Sequence, residues 1–240
     1  MDDTDRRRAL EEAAETGLRL LTPSEDGETA VGIYWVDLYL RHPVGARLKR
    51  MMDIAFSIVF IVLSAPFMLL TLVFIWIVSL GPAIYVQRRI GFRCTEFDMY
   101  KLRTMIPGAD RHEARLKQAD DAFLKVTNDP RITWWGQFLR RYSIDELPQL
   151  VNVLNGSMSL VGPRPLLLSD LSTFPLRSQM RRFSVHPGLT GLWQVSGRSS
   201  TTEENRLELD KQYVNEWSLW LDLKILVRTV GAVFSGRGAV

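Results

Sequence analysis

A chain of 240 residues, 46% hydrophobic and 24% charged with a formal net charge of +3, has room for one domain plus an extension or a membrane element. Its basic residues form no module with interleaved aromatics, which excludes nucleic acid as the expected partner. A single cysteine, Cys94, excludes an intrachain disulfide and fits a reducing compartment.

Residues 1 to 44 are mixed in charge and punctuated by Pro23, Gly27 and Gly32. They read as a weakly ordered N-terminal extension with a short helix from Asp5 to Leu21. The opening MDDTDRRRALEEAAE has no apolar core, so no secretory signal is expected there.

Residues 45 to 80 form the membrane element. From Ile54 to Leu80 there are 27 residues without a charge. As a straight helix this run would extend roughly 40 Å, against a hydrocarbon core of about 30 Å. Pro66 removes a backbone hydrogen bond and crowds the preceding turn, so a bend or break is expected near Ser64. The Ser64 hydroxyl can satisfy a freed backbone group. Arg47, Lys49 and Arg50 precede the run, and Arg88, Arg89 and Arg93 follow it. Basic flanks mark the cytoplasmic side, and here both ends carry the mark. A re-entrant helix–break–helix satisfies both, whereas a kinked span or a buried helix are the alternatives. Asp53 stands three residues after Arg50, where a helix would pair them.

Residues 81 to 240 read as a catalytic domain on the cytoplasmic face. AIYVQRRIG and EFDMYKLRT, joined by FRCT, predict a β-hairpin. Residues 109 to 125 predict an exposed helix. Apolar residues at 147, 150, 151 and 154 predict a helix stopped by Asn155-Gly156. In the tail YVNEWSLWLDLKILVRTVGAVF, Trp217, Trp220, Leu221, Ile225 and Val227 alternate with Glu216, Asp222, Lys224 and Arg228. That pattern suits a helix at a membrane face or one packed on a core.

The densest chemistry lies in LRRYSIDELPQLVNVLNGSMSLVGPRP, residues 139 to 165. Ser143-Ile144-Asp145-Glu146 has the form of a helix capping box. Two adjacent carboxylates beside Arg140 and Arg141 also suit phosphoryl transfer, in which one can attack phosphorus or hold a divalent metal. A helix N-terminus would help keep Asp145 ionised. Arg164 stands between Pro163 and Pro165, which presents its guanidinium at low entropic cost for two parallel bonds to a phosphate. HPGLTGLWQVSGR, residues 186 to 198, supplies glycines for close backbone approach and ends in Arg198. There is no GxxxxGK[ST], HExxH or CxxC, and His42, His112 and His186 are far apart.

These motifs, with KRMMD before the apolar run, Ser64 and Pro66 within it, YKLRTM at 100 to 105 and NDPRIT at 128 to 133, resemble bacterial sugar transferases of the monotopic phosphoglycosyl transferase family. The likeness covers roughly residues 47 to 238, and the GLWQVSGR form with its tail most resembles the exopolysaccharide-priming branch. The departure is Ser64-Ala65-Pro66, where many members have Ser and Pro adjacent.

The resemblance implies an enzyme that moves a hexose-1-phosphate from a UDP-sugar, galactose before glucose, to undecaprenyl phosphate with release of UMP. It implies Asp145 as nucleophile through a covalent phosphosugar intermediate, Glu146 as its helper, and Mg2+ as cofactor with Asp145 as metal ligand. It implies Arg140, Arg164 and Arg198 as phosphate-binding residues. Lys101 and Arg103, on the YKLRTM strand, are expected near the site. Ser64 and Pro66 are the expected membrane break. A direct ternary-complex transfer and a non-catalytic membrane scaffold are the rival readings.

The fold expected is α+β and mostly helical, with a re-entrant, non-spanning membrane helix hairpin, a small β-hairpin and interfacial amphipathic helices. The expected location is the bacterial inner membrane, monotopic on its cytoplasmic face, with the lipid bilayer as a partner. A homodimer is compatible with the sequence, which does not fix oligomeric state.

Overall fold

The computed structural model describes residues 42–79, 81–106, 108–109, 129, 131–168, 180–197 and 202–235. The expected helices over 5–21 and 109–125 and the candidate Arg198 lie outside the described residues, except for Ala109.

The apolar run forms α1, Pro43–Ser79, which carries Pro66 inside it. No turn is unwound at the proline. The Ser64 hydroxyl donates to the Phe60 carbonyl at 2.6 Å, the back-bond a helical serine usually makes, rather than to the Val62 carbonyl that Pro66 leaves without its usual donor. Both ends of α1 pack on the rest of the protein. Near its start, Lys49, Asp53 and Ser57 are buried. Near its end, Ile75 joins Leu102 and Leu139 in a small core that Leu72, Ile84 and Trp135 flank.

The expected Arg50–Asp53 pair does not form. Arg50 instead donates to the Val153 and Leu154 carbonyls at 2.6 and 2.9 Å, where a helix end leaves carbonyls without partners. Asp53 accepts from the Ser159 hydroxyl at 2.7 Å and the Leu160 amide at 3.1 Å. Bonds to fixed backbone groups outcompete a short ion pair along the helix surface.

The hairpin is present: β1 (Ile84–Ile90) pairs antiparallel with β2 (Glu96–Leu102) in the register Ile84↔Leu102 to Ile90↔Glu96. Then come α2 (Trp134–Arg141) and α3 (Gln149–Asn155), the latter closed by Gly156 at φ +89° as the Asn-Gly signal predicted. The capping box is not formed. Ser143 sits at φ +54° with no side-chain cap, and Ile144–Glu146 is a separate 3-10 turn. Pro148 lacks the N–H that would continue the turn into α3, so the two remain distinct.

A second sheet escaped the sequence reading. β3 (Ser159–Val161) runs parallel to β4 (Gly188–Thr190). Gly162 and Gly188 make this possible, because a Cβ at either would collide with the other segment's backbone. A one-turn helix α4 (Leu192–Val195), α5 (Glu203–Asn215) and α6 (Leu219–Ser235) follow. The main core gathers Met99, Leu150, Val153, Met158, Leu160, Val161, Tyr213 and Ile225. The tail packs on the core by one side only. Ile225 is in the core, while Trp220, Val227, Val230 and Phe234 are exposed on α6.

Candidate active site

Both carboxylates of the 3-10 turn face a cleft of about 1100 Å³ between the hairpin, α2, β4–α4 and the apolar sides of α1 and α6. The turn exists because Glu146 N bonds Ser143 O and Leu147 N bonds Ile144 O, at 3.2 and 3.1 Å. With Ser143 left-handed, the chain reverses sharply after α2.

Asp145 is buried, 8% exposed. Burial first, and the neighbouring Glu146 second, push its carboxyl up to about 6, while Lys101 and Arg140 pull the other way. The expected lowering by a helix N-terminus does not govern it, because Asp145 lies in the 3-10 turn before α3. Glu146 stands 3.4 Å from Lys101 Nζ and 3.9 Å from an Arg164 nitrogen. Burial moves the Lys101 ammonium down from its usual value, opposed by Glu146 and Asp145.

Arg140 comes from the last turn of α2. Its Nε donates to Thr104 Oγ1 at 2.9 Å. α2 reaches this position because Thr133 caps it, and because Gly136 lies so close to the Thr104 carbonyl that a Cβ would collide with it. Arg164 lies with its guanidinium carbon 5.7 Å from the Trp193 ring centroid. Arg103 lines the cleft too, but its guanidinium stands against Gly81 beyond the end of α1.

Asp145, Glu146, Lys101, Arg140 and Arg164 are thus brought together, with Arg103 at the margin. The cleft adds residues that the sequence reading did not single out. Arg131, 2.6 Å from Asp129, lies inside the NDPRIT motif, which was the available signal. Arg206 sits over Trp193 at 4.9 Å, and nothing local in the α5 sequence marks it. Thr104 lies inside the YKLRTM motif and Arg89 was read only as part of the basic flank; their place in the cleft is visible only in three dimensions.

The far wall is different in kind: Phe56, Phe60, Leu223, Val227, Val230 and Phe234. One cleft therefore joins a buried aspartate and a half-buried glutamate, ringed by cations, to an apolar side. Among the described residues no three His, Cys, Asp or Glu side chains converge as a metal cage. Asp145 and Glu146 still fit a magnesium ion, since Glu146 raises Asp145 by repulsion that a dication relieves. Such an ion takes one or two carboxylates and completes its shell with substrate phosphates and water.

A family model described as bacterial sugar transferase matches residues 44–236. Galactosyl transferase CpsE of Streptococcus agalactiae is 45% identical over 163 residues, 66% of this chain and 36% of that protein. Exopolysaccharide production protein ExoY of Rhizobium meliloti is 39% identical over 210 residues, 82% of this chain and 90% of ExoY. The undecaprenyl-phosphate galactose phosphotransferase of Salmonella typhimurium is 39% identical over 202 residues, 80% of this chain and 41% of that enzyme. The chain spans nearly all of ExoY and less than half of the other two.

Proposed function

The chain belongs to the bacterial sugar transferase family, and from that premise we propose that it transfers a hexose-1-phosphate from a UDP-sugar to undecaprenyl phosphate, releasing UMP. This is the priming step of exopolysaccharide synthesis, at the cytoplasmic face of the inner membrane. The observation that carries the reading is the two-sided cleft. A soluble, charged donor suits the cationic side and a lipid-borne acceptor suits the apolar side. Galactose is the favoured sugar, because the names of two relatives specify galactosyl or galactose transfer, and glucose is next.

The mechanism follows from the dyad. With its carboxyl at about 6, Asp145 is mostly ionised at neutral pH. An Asp145 oxygen attacks the phosphorus that bears the sugar. The bond from that phosphorus to the bridging oxygen breaks, and UMP leaves with the electron pair. Undecaprenyl phosphate then attacks the same phosphorus through a phosphate oxygen. The Asp145–phosphorus bond breaks, which returns the carboxylate and yields undecaprenyl diphosphate hexose. Each half splits one hard displacement into an easier one.

Lys101, Arg140 and Arg164 neutralise the charge that spreads over the transferring group. Glu146, held between Lys101 and Arg164, orients the acceptor phosphate or takes its proton. Magnesium at Asp145 and Glu146, bound with the donor, would screen the diphosphate charge and ease UMP departure. Arg198 is assigned a phosphate role by the family resemblance alone.

Re-entry of α1 is part of the proposal. Its support is that both ends of α1 pack on one polar body, at β3 and α3 on one side and at β2 and α2 on the other. A site held this way at the boundary reaches a dissolved donor and a membrane-borne acceptor.

Trapping tests the two-step route. Incubated with labelled UDP-galactose and no acceptor, the protein is expected to retain label at Asp145, with one equivalent of UMP released. UMP released only when undecaprenyl phosphate is present would favour direct transfer. No UMP from any UDP-sugar with acceptor present would favour the scaffold.

A further inference from the structure

Pro163-Arg164-Pro165 offers an unusual backbone. Two of its three residues have no N–H, so the segment is held through its carbonyls. Four consecutive carbonyls accept from four different groups. Pro163 O takes the Gly188 amide at 2.8 Å, Arg164 O takes Arg182 Nη2 at 3.2 Å, Pro165 O takes Arg89 Nη1 at 3.3 Å and Leu166 O takes the Ile90 amide at 2.8 Å. The outer two are strand-edge backbone bonds, fixed by the fold. The Arg164 carbonyl instead depends on one side chain.

That side chain is itself tethered. Arg182 Nη2 also contacts Asp210 Oδ2 at 2.5 Å, so one NH2 group gives one hydrogen to α5 and one to the Arg164 carbonyl. Asp210 is 1% exposed and its second oxygen has no hydrogen-bond partner among the described residues. Burial drives its carboxyl up to about 6, against the pull of Arg182. A buried pair with an unsatisfied oxygen contributes little net stability. It does fix the direction of the Arg182 fork. One turn earlier on α5, Arg206 covers the Trp193 ring that also faces Arg164.

We propose that Arg182 and Asp210 are positioning residues for Arg164: α5 sets the backbone of the guanidinium that binds phosphate, through a buried ion pair some distance from the acidic dyad. The inference rests on reading Arg164 as a phosphate-binding residue.

The test uses the full chain in nanodiscs, with kcat/KM for UMP release and hydrogen exchange of the peptide spanning 162–168. Asp210→Asn and Arg182→Lys are each expected to lower kcat/KM by about tenfold, and Arg164→Ala by about a hundredfold. Combined with Arg164→Ala, the Asp210→Asn loss should vanish; combined with Arg140→Ala, it should multiply. Exchange over 162–168 should rise in Asp210→Asn while the thermal midpoint stays near that of the parent. Multiplicative loss with Arg164→Ala, or unchanged exchange at 162–168, overturns the relay. If Arg164→Ala keeps the parental rate while exchange responds, the phosphate role of Arg164 fails and the mechanical link stands.

Discussion

Asp145 faces opposing demands. The proposed nucleophile must be ionised, yet burial and Glu146 both resist its charge. With the folded carboxyl at about 6 and the unfolded one near 3.8, the folded state binds more protons between those values. Stability from this group is therefore fully present below about pH 4 and is lost as pH rises through about 6. Asp145→Asn is thus expected to abolish transfer and also to stabilise the metal-free protein, by on the order of 1–3 kcal/mol at neutral pH. The gain should fade towards pH 4, where both side chains are neutral. Thermal unfolding in EDTA across pH checks it; a midpoint lowered at pH 7 counts against the strain. Lys101→Met should cut transfer by roughly tenfold to a hundredfold and lower stability more at neutral pH than at acid pH, since Lys101 opposes the Asp145 charge. At this scale the sequence was informative about which groups meet: carboxylates, Arg140, Arg164 and Lys101 share one cleft. It was misleading about their backbone. S-x-x-E is the same string whether it caps a helix or forms a 3-10 turn, and the choice fell to Pro148 and the left-handed Ser143. Arg206 was invisible because its partner ring, Trp193, is thirteen residues away on another element.

Among the elements, α1 is fastened by charge. Lys49 Nζ donates to Asp222 at 2.7 Å and to the Val161 carbonyl at 3.0 Å. The Tyr213 hydroxyl lies 2.8 Å from Asp222 and 3.0 Å from the same carbonyl. Trp217 Nε1 adds a bond to Asp222 at 3.3 Å. The lock joins α1, β3, α5 and α6, three residues upstream of Arg164. Lys49→Met would leave Asp222, at 0% exposure, without its cation, at a cost of about 3–5 kcal/mol. Adding Asp222→Leu should recover most of that loss, because Tyr213 keeps the Val161 carbonyl. Equal destabilisation by the single and double variants, measured by thermal unfolding, would show that the pair is not the fastening. The hairpin and α3 were legible from local pattern, since their signals lie within a few residues of each other. The lock and the β3–β4 pair were not. Their partners are 173 residues apart in Lys49–Asp222 and separated by a whole segment in the parallel sheet, and KRMMD reads locally as an interfacial cluster.

For the whole molecule the question is how a long apolar helix belongs to a polar body. α1 is long and apolar enough to cross a membrane, and its middle is bare: Leu63 is 73% exposed and Leu70 is 70% exposed. Water does not tolerate so much contiguous apolar surface. α6 and α2 extend the same surface with Phe234, Val227, Trp134 and Phe138, and tryptophan suits the headgroup boundary. A straight crossing would have to bury one end's basic residues with the far leaflet, yet Lys49 and Arg50 at one end and Ile75 at the other are all engaged with the same domain. Re-entry is therefore the arrangement we expect, and it makes a sided prediction. In a Cys94→Ser background, single cysteines at Arg47 and Pro82, both exposed, should react with an impermeant maleimide in inside-out vesicles and be protected in right-side-out ones. A cysteine at Leu63 should be protected in both. Labelling of positions 47 and 82 from opposite sides would establish a crossing helix, and free labelling at 63 from either side would take α1 out of the bilayer.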